Sequence, residues 1–419
     1  MMGNIKKLLG NNVGKKGTPV FVFSLVILFW AIFDGILTYI VPILIEGQGF
    51  STSMIGFIIG TSSITGAFFD FLICKFFKNI SFRRIFLIMF AICFVYPLLL
   101  WSAKSLWFFL FVMAVWGIYF DFFGFGVFNF IGRYTKKKDH SSSFGTLQIF
   151  RALGGILAPI IVGFVIIKGI DWRSFALGWF FLAVGFIFFI VLVILMYKKQ
   201  PSNGSRVAFQ SSKRKNFFVE IRLWKKIGRV MMPVLFLTFY VFFIEAFFWT
   251  LAPLYTETAG LEQFGGFFLT AYSLPFLIVG WFVGSLNKKF GKKKTAFVGL
   301  LVGSLILSFF SLLSNPIILI FLVFFSSFFI SVALPSISAA YADYISEASQ
   351  VEEEIEGIED FAFNAGYILG PISAGVLADV FSIPVAFSIL GLFGVLLATI
   401  LLFVTPKSII IKTKPSELK

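Results

Sequence analysis

Two acidic residues of this 419-residue chain lie inside long apolar stretches. Asp34 is the single charged residue between positions 17 and 45, and Glu245 is the single charged residue between positions 230 and 256. The two acids are 211 residues apart, and each is followed eight residues later by a proline. A carboxylate is costly to keep in hydrocarbon and is retained mainly on ion, proton or substrate pathways. The repeated pattern therefore predicts a duplicated membrane protein with an ionisable group in each half.

The composition is that of a polytopic membrane protein, because 59% of the residues are hydrophobic and 13% are charged. The net charge of +15 comes from lysines and arginines in short runs between apolar stretches. That arrangement is typical of cytoplasmic loops and not of a nucleic-acid-binding surface. Cys74, Cys93 and His140 are too few and too scattered for a disulfide framework or a metal site. We therefore expect neither a metal nor a cofactor.

Twelve apolar stretches are long enough to cross a bilayer as helices, for which about 20 residues suffice. The uncharged run 295–342 is too long for one span, and Asn315-Pro316 divides it, because proline disfavours helix at the preceding residue. The sequence thus predicts an all-α membrane protein. The predicted spans are 18–45, 53–76, 83–103, 106–131, 144–168, 174–197, 230–256, 263–287, 295–314, 316–342, 360–380 and 382–405.

Lysine and arginine clusters alternate with weakly charged loops along the chain. By the positive-inside rule, this multi-pass protein of the cell (cytoplasmic) membrane has both termini in the cytoplasm. An apolar helical face at 217–227 predicts an interfacial helix, with a solvated linker as the alternative. The acidic loop 347–360 is either a solvated face or a partner of the basic loops. The predicted units are a cytoplasmic tail (1–17), a six-helix half (18–197), a basic cytoplasmic linker (198–229), a second six-helix half (230–406) and a cytoplasmic tail (407–419).

A segment rich in glycine and lysine follows the eighth span. Lys288 lies within it, at a position where the related motif named below carries an acidic residue. In the first half, Arg83 and Arg84 end the equivalent loop, and Asp70 is positioned to replace the missing acid. The segment resembles the inner-loop motif of the major facilitator superfamily, which implies two halves that close against each other at these loops. The residues that carry the resemblance are Gly284, Lys289, Gly291, Lys293 and Lys294.

Small residues recur in the fifth and eleventh spans at an interval of 212 residues. The fifth-span set resembles the glycine–proline motif typical of proton-coupled drug antiporters of the same superfamily, with Ala158 and Val162 in place of two glycines. The arginine that this branch carries in span four is missing before Gly124 and Gly126. Small side chains allow helices to approach closely, and proline bends them. The two sets are Gly145, Gly154, Pro159 and Gly163, and Gly366, Gly370, Pro371 and Gly375.

The resemblance implies two pseudo-symmetric six-helix halves around a cavity lined by spans one, four, seven and ten. Asp34, Asp121 and Glu245 lie in three of these spans and are candidate proton or substrate sites. Arg151 is the base deepest in a span, and we expect it to pair with Asp121, because an unpaired charge there is costly. The candidate cavity aromatics are Trp30, Tyr39, Tyr119, Tyr240, Phe248 and Trp249.

These features predict a secondary active transporter that works by alternating access. The excess of acids over bases in the spans and the fifth-span resemblance favour proton-coupled export of a lipophilic cationic or neutral compound. Proton-coupled uptake of a sugar, a peptide or another small metabolite is the alternative. An enzyme or a signalling scaffold is disfavoured, because the sequence has no P-loop and no nucleophile–base pair outside the spans. The expected partners are a small-molecule substrate, protons and the bilayer, and the expected functional unit is a monomer.

Overall fold

The described part of the chain folds into a bundle of α-helices. The computed structural model describes residues 18–76, 80–135, 139–166, 169–196, 217–259, 261, 264–347 and 351–405. A helix satisfies its backbone hydrogen bonds within one segment, as a chain that crosses hydrocarbon requires. The predicted all-α membrane fold is confirmed.

Six long helices form the first half of the chain. Their ends lie within four residues of the predicted span ends, because the apolar runs that predict them also stop there. They are α1 (Thr18–Glu46), α2 (Thr52–Phe76), α3 (Phe82–Ser102), α4 (Leu106–Tyr134), α5 (His140–Ile166) and α6 (Trp172–Leu195).

Eight helices form the second half, and two pairs of them each make one span. They are α7 (Phe217–Thr258), α8 (Gly265–Val279), α9 (Val283–Phe290), α10 (Lys292–Ser308), α11 (Pro316–Ser331), α12 (Ala333–Glu347), α13 (Glu352–Val380) and α14 (Ile383–Val404). The chain bends by 63° between α8 and α9, whereas α11 and α12 continue as one apolar span. Within the described residues, eleven helical segments can cross a membrane and the α8–α9 pair supplies a twelfth, as predicted.

Two helices of the second half begin earlier than the apolar runs alone predict. Helix α7 starts at Phe217 and passes without interruption into the seventh span. Helix α13 starts at Glu352, so residues 352–360 of the predicted acidic loop form its first turns. The first turns of both helices contain no proline, the residue that most strongly interrupts a helix; the first prolines are Pro233 in α7 and Pro371 in α13. Acidic side chains are also favourable in the first turn of a helix.

The early turns of α7 pack against the start of α13. A Cβ atom placed at Gly357 would lie 2.9 Å from the indole ring of Trp224. Leu223 and Ile227 of the same face are buried. The described part of the apolar face that the sequence predicts at 217–227, which lies within residues 223–227, is therefore covered by protein.

The main contacts between the halves are those of α2 with α13 and of α5 with α8, and α1 also contacts α7. Within the halves, α1 packs on α5 and α6, and α10 packs on α14. Short connections make consecutive spans antiparallel. We call the face of the bundle where α1 ends and α2 begins the distal face, and the face where α2 ends and α3 begins the proximal face.

Candidate functional site

Asp34 lies in the middle of α1 and is held by two side chains of α4. Its Oδ1 atom accepts hydrogen bonds from the Tyr119 hydroxyl at 2.8 Å and from the Trp116 indole Nε1 at 3.2 Å. Tyr119 is fully buried and packs edge-on against Tyr96 of α3, with ring centroids 5.3 Å apart. The sequence predicted Tyr119 but missed Trp116, which precedes it by one helical turn and so faces the same neighbour.

Trp30 lies one turn before Asp34 on α1 and extends the same aromatic cluster. Its ring stacks on that of Phe123 in α4, with centroids 3.7 Å apart and planes 8° from parallel. Trp30 is 1% exposed, so its ring face is already covered by Phe123 and the surrounding core. Trp30 therefore packs beside the carboxyl and orders the contact between α1 and α4.

Glu245 occupies the equivalent position in α7. Its carboxyl group forms a hydrogen bond with the hydroxyl of Tyr367 in α13 and lies near Tyr272 of α8. Tyr272 stacks on Phe248, with ring centroids 4.1 Å apart and planes at 13°. Sequence reasoning missed Tyr367 and Tyr272. The available signal for Tyr367 is its position directly after Gly366, the first glycine of the eleventh-span set.

Arg151 of α5 links the acids of the two halves electrostatically. Its guanidinium group interacts with the carboxyl groups of both Asp34 and Glu245. Its carbon atom Cζ also lies 5.1 Å from the centroid of Phe120 and 5.6 Å from that of Phe123, within the range of cation–π contacts. Arg151 therefore lies within electrostatic range of an acid from each half.

Asp121 faces the interface between α4 and α2. A Cβ atom placed at Gly66 would lie 3.3 Å from the Asp121 Oδ2 atom, so the glycine makes room for the carboxylate. The neighbouring Phe120 faces Arg151, and adjacent helical residues point about 100° apart. The pairing of Asp121 with Arg151 stays a prediction.

The other predicted aromatics lie in three different places. Tyr39 lies towards the distal end of α1, and its hydroxyl is 3.1 Å from that of Thr256 in α7. Tyr240 is fully buried and donates its hydroxyl to the Leu390 carbonyl of α14 at 2.5 Å. Trp249 is half-buried beside Phe248. Tyr39 thus bridges the halves and Tyr240 joins two helices of the second half, whereas Trp249 follows Glu245 by one turn of α7.

The glycine–proline set of α5 packs this helix against both halves. A Cβ atom placed at Gly154 would lie 2.6 Å from the Ala31 Cβ of α1. A Cβ atom placed at Gly163 would lie 3.0 Å from the backbone nitrogen of Gly266 in α8. Gly266 also packs against the carbonyl group of Pro159. A Cβ at Gly145 would meet no atom within 4 Å.

The set in α13 makes the corresponding contacts. Cβ atoms placed at Gly366 and Gly370 would lie 2.6 Å from the Phe239 carbonyl oxygen and 2.8 Å from the Phe243 carbonyl oxygen of α7. Further along the helix, the Pro371 carbonyl abuts Gly56 of α2. Gly154 in α5, and Gly366 and Gly370 in α13, thus contact the first helix of their own half, and the later residues contact the other half.

The proximal loop motif contains a glycine that the backbone requires. Gly291 has φ 87°, in the left-handed region that favours glycine, and separates α9 from α10. The adjacent Lys292 donates to both carboxylate oxygens of Asp343 in α12, at 2.6 and 2.7 Å, a contact that the sequence did not predict. Lys289 lies over the ring of Phe290 at 5.1 Å.

The first-half counterpart of this loop also connects two helix ends. Arg83 donates from Nη2 to the carbonyl of Met196 at 2.6 Å, which joins the start of α3 to the end of α6. Arg84 is exposed. The side chain of Asp70 lies outside the described residues. Within the described residues, no group of three or more His, Cys, Asp and Glu side chains could hold a metal ion.

A twelve-span bundle of two halves, with acids and an arginine between them, is the architecture of a secondary transporter. The family profile of the Major Facilitator Superfamily matches residues 22–351 and 262–418. The chain therefore belongs to the Major Facilitator Superfamily, and it is a multi-pass membrane transporter of small molecules. No curated protein matches this sequence.

Solved structures share the fold over almost the whole chain. The nucleoside transporter NupG superposes with a TM-score of 0.70 at 13% identity, over 92% of this chain and 98% of that chain. A bacterial homologue of the human lysosomal transporter Spinster, in an inward-facing and unoccupied conformation, gives a TM-score of 0.69 at 13% identity, over 94% and 96%. At this identity the likeness shows the fold alone.

Proposed function

We propose that this protein is a proton-coupled transporter that exports a lipophilic cationic or neutral small molecule by alternating access. The observation that carries the proposal is the unit formed by Asp34, Arg151 and Glu245, in which one arginine interacts with an acid of each half. A rocking motion of the halves changes the distances within this unit. Proton binding and conformational change are thereby coupled.

Opposing influences act on each acid of this unit. Burial disfavours the charged form of a carboxyl group, whereas hydrogen-bond donors and a nearby guanidinium favour it. Tyr119 and Trp116 donate to Asp34, and Tyr367 forms a hydrogen bond with Glu245. A displacement of Arg151 towards one acid therefore favours proton release there and proton uptake at the other.

The surroundings of the acids support a lipophilic cation as the exported substrate. Aromatic ring faces attract cations, and apolar cavities with a few polar groups bind drug-sized ligands. Asp34 lies beside the Tyr119–Tyr96 cluster, and Glu245 lies beside the Phe248–Tyr272 stack. These features support a lipophilic cation as substrate, and the resemblance of the fifth span to that of drug antiporters supports the export direction.

Proton-coupled uptake of a polar metabolite is the second candidate. The Trp116 indole and the Tyr119 hydroxyl place two hydrogen-bond donors at one carboxylate oxygen, an arrangement that also suits a hydroxylated substrate. NupG, whose fold this chain shares, is a nucleoside transporter. A nucleoside is therefore a useful test of this candidate.

The test uses purified protein in liposomes that contain a pH-sensitive dye. A proton gradient is imposed, and lipophilic cations, nucleosides, sugars and short peptides are added in turn. Asp34→Asn and Glu245→Gln are compared with Asp171→Asn, which neutralises a half-exposed acid at the start of α6. We expect a lipophilic cation to evoke proton flux in the wild type and in Asp171→Asn but in neither of the other variants.

Two results would redirect the proposal. Proton flux evoked by nucleosides or sugars, and not by lipophilic cations, would favour uptake. Flux that is equal in all four proteins would remove Asp34 and Glu245 from the coupling site.

A further inference from the structure

A single carboxylate at the distal face joins the two halves through two hydrogen bonds. Asp379, in the last turn of α13, accepts from the backbone nitrogen of Thr52 at 3.0 Å through Oδ1. Its other oxygen, Oδ2, accepts from the backbone nitrogen of Ser53 at 2.8 Å. Both donors belong to the first turn of α2, and each carboxylate oxygen has one of them. The contact is therefore bidentate, between charged side chain and backbone.

The first turn of α2 needs such an acceptor. The first four N–H groups of a helix have no partner within the helix, and an anion there also interacts favourably with the helix dipole. Helix α2 has no acidic residue in its first turn. Ser51, the residue before it, accepts from the Met54 nitrogen at 3.4 Å. The opposite half thus supplies the anion that caps α2.

The helix backbones below the carboxylate are in direct contact. The carbonyl group of Thr52 abuts Gly375, and the carbonyl group of Pro371 abuts Gly56. Positions 371, 375 and 379 recur every four residues on α13, as do 52 and 56 on α2, so they form two facing stripes. Any side chain at Gly375 or Gly56 would hold the helices apart and withdraw Asp379 from the N–H groups.

We propose that Asp379 is the latch of the distal gate, whose bidentate cap on α2 holds the distal face closed and breaks when the halves separate there. The proposal rests on alternating access, which the family shares, and not on the proposed protons or substrate. Asp379 is exposed, so water can replace both hydrogen-bond donors when the gate opens. Because water can replace the N–H donors, the latch is reversible, and its strength sets the equilibrium between the closed and the open distal gate.

The test measures the distance across the distal face by pulsed electron resonance of the full chain in liposomes, without substrate. Spin labels at Gln48→Cys and Phe381→Cys report on the two halves, since both positions are exposed near the distal ends of α1 and α13. Asp379→Asn removes the charge and one acceptor without changing the shape. We expect this substitution to raise the population with long distances several-fold.

Two further variants make the result specific to the proposed contact. Asp171→Asn is the matched control, because Asp171 accepts from the Arg173 nitrogen at 2.9 Å at the start of its own helix α6, also at the distal face. Thr52→Pro removes one of the two donors at the first position of α2, where proline is tolerated. We expect the control to leave the distances unchanged and Thr52→Pro to lengthen them as Asp379→Asn does.

A latch also predicts how the substitutions combine. Because both act on one contact, the double variant should open the gate less than the product of the two single effects. Wild-type distances in both Asp379→Asn and Thr52→Pro would overturn the proposal. The readout needs neither substrate nor protons, so it distinguishes a failed latch from a failed assignment of Asp34 and Glu245.

Discussion

Each intramembrane acid of the proposed site has a tyrosine from a neighbouring helix as its hydrogen-bond partner. The hydroxyl of Tyr119 in α4 donates to Asp34, and the hydroxyl of Tyr367 in α13 forms a hydrogen bond with Glu245. A tyrosine hydroxyl can donate to a carboxylate and can accept from a protonated carboxyl group. The hydrogen bond therefore survives a change in protonation, which lets an acid load and release a proton without leaving its position.

We expect Tyr119→Phe to reduce substrate-evoked proton flux by about tenfold to a hundredfold. The substitution removes a hydrogen bond to a charged group, which contributes about 1.5–3 kcal/mol. The measurement is the initial rate of proton flux in liposomes. Tyr96→Phe is the control, since it removes a hydroxyl from the same aromatic cluster but not one bonded to Asp34. Equal losses in both variants would argue against a specific role for Tyr119.

A second prediction at this scale concerns the charge of Arg151. We expect Arg151→Gln to abolish proton-coupled flux, because one cation interacts with both acids. Arg151→Lys keeps the charge but loses the planar group that lies over Phe120 and Phe123, so it should retain part of the flux. The comparison is the flux of the two variants in the same assay. Retention of full flux in Arg151→Gln would contradict the shared-cation arrangement.

Helices α5 and α13 organise the bundle because each contacts both halves. Gly154 touches α1, Gly366 and Gly370 touch α7, and the later residues of the two helices touch α8 and α2. Small residues let the backbones approach closely, and the proline of each helix contributes its carbonyl to the contact with the other half. These helices are therefore suited to transmit a motion of one half to the other.

Two neighbouring glycines of α5 provide a matched test of this packing. We expect Gly154→Val to lower the free energy of unfolding by about 1–3 kcal/mol, because a larger side chain would overpack the contact with Ala31. Gly155→Val should have little effect, because a Cβ atom there would meet no atom within 4 Å. Thermal unfolding of the purified proteins measures both. A similar loss in both variants would mean that helix propensity, and not packing, sets the cost.

The two halves of the molecule meet on both sides of the bundle. On one side, Asp379 joins α13 to α2. On the other, the Thr270 hydroxyl of α8 donates to the Ile156 carbonyl of α5 at 3.0 Å, and Tyr39 meets Thr256 nearby. The two halves are therefore in contact on both sides of the bundle in this conformation.

A reversible cross-link across the distal face should stop the transport cycle. The rings of Phe164 and Phe267 lie 6.3 Å apart on opposite halves, and both side chains are exposed. We expect Phe164→Cys combined with Phe267→Cys to lose transport when a short disulfide-forming linker is added and to regain it on reduction. Each single variant with the same reagent is the control. Transport that persists after complete cross-linking would show that the distal face need not open.

The sequence by itself determined the twelve spans, the two halves and the acids of the proposed site. Apolar runs of about 20 residues define spans regardless of how they pack, and a charge within such a run is rare enough to be recognised by itself. Asp34, Glu245 and Arg151 were found in this way. The glycine–proline sets also showed in the sequence, since repetition at one interval marks a duplicated fold.

Tertiary structure decided which side chains these residues meet. Trp116, Tyr367 and Thr256 became partners because helices far apart in sequence lie side by side, and a single sequence does not specify such contacts. Asp379 resembles an ordinary acid at a helix end until α2 is placed beside α13. Depth in the membrane can be read from hydrophobicity, whereas the direction of a side chain depends on how the helices pack.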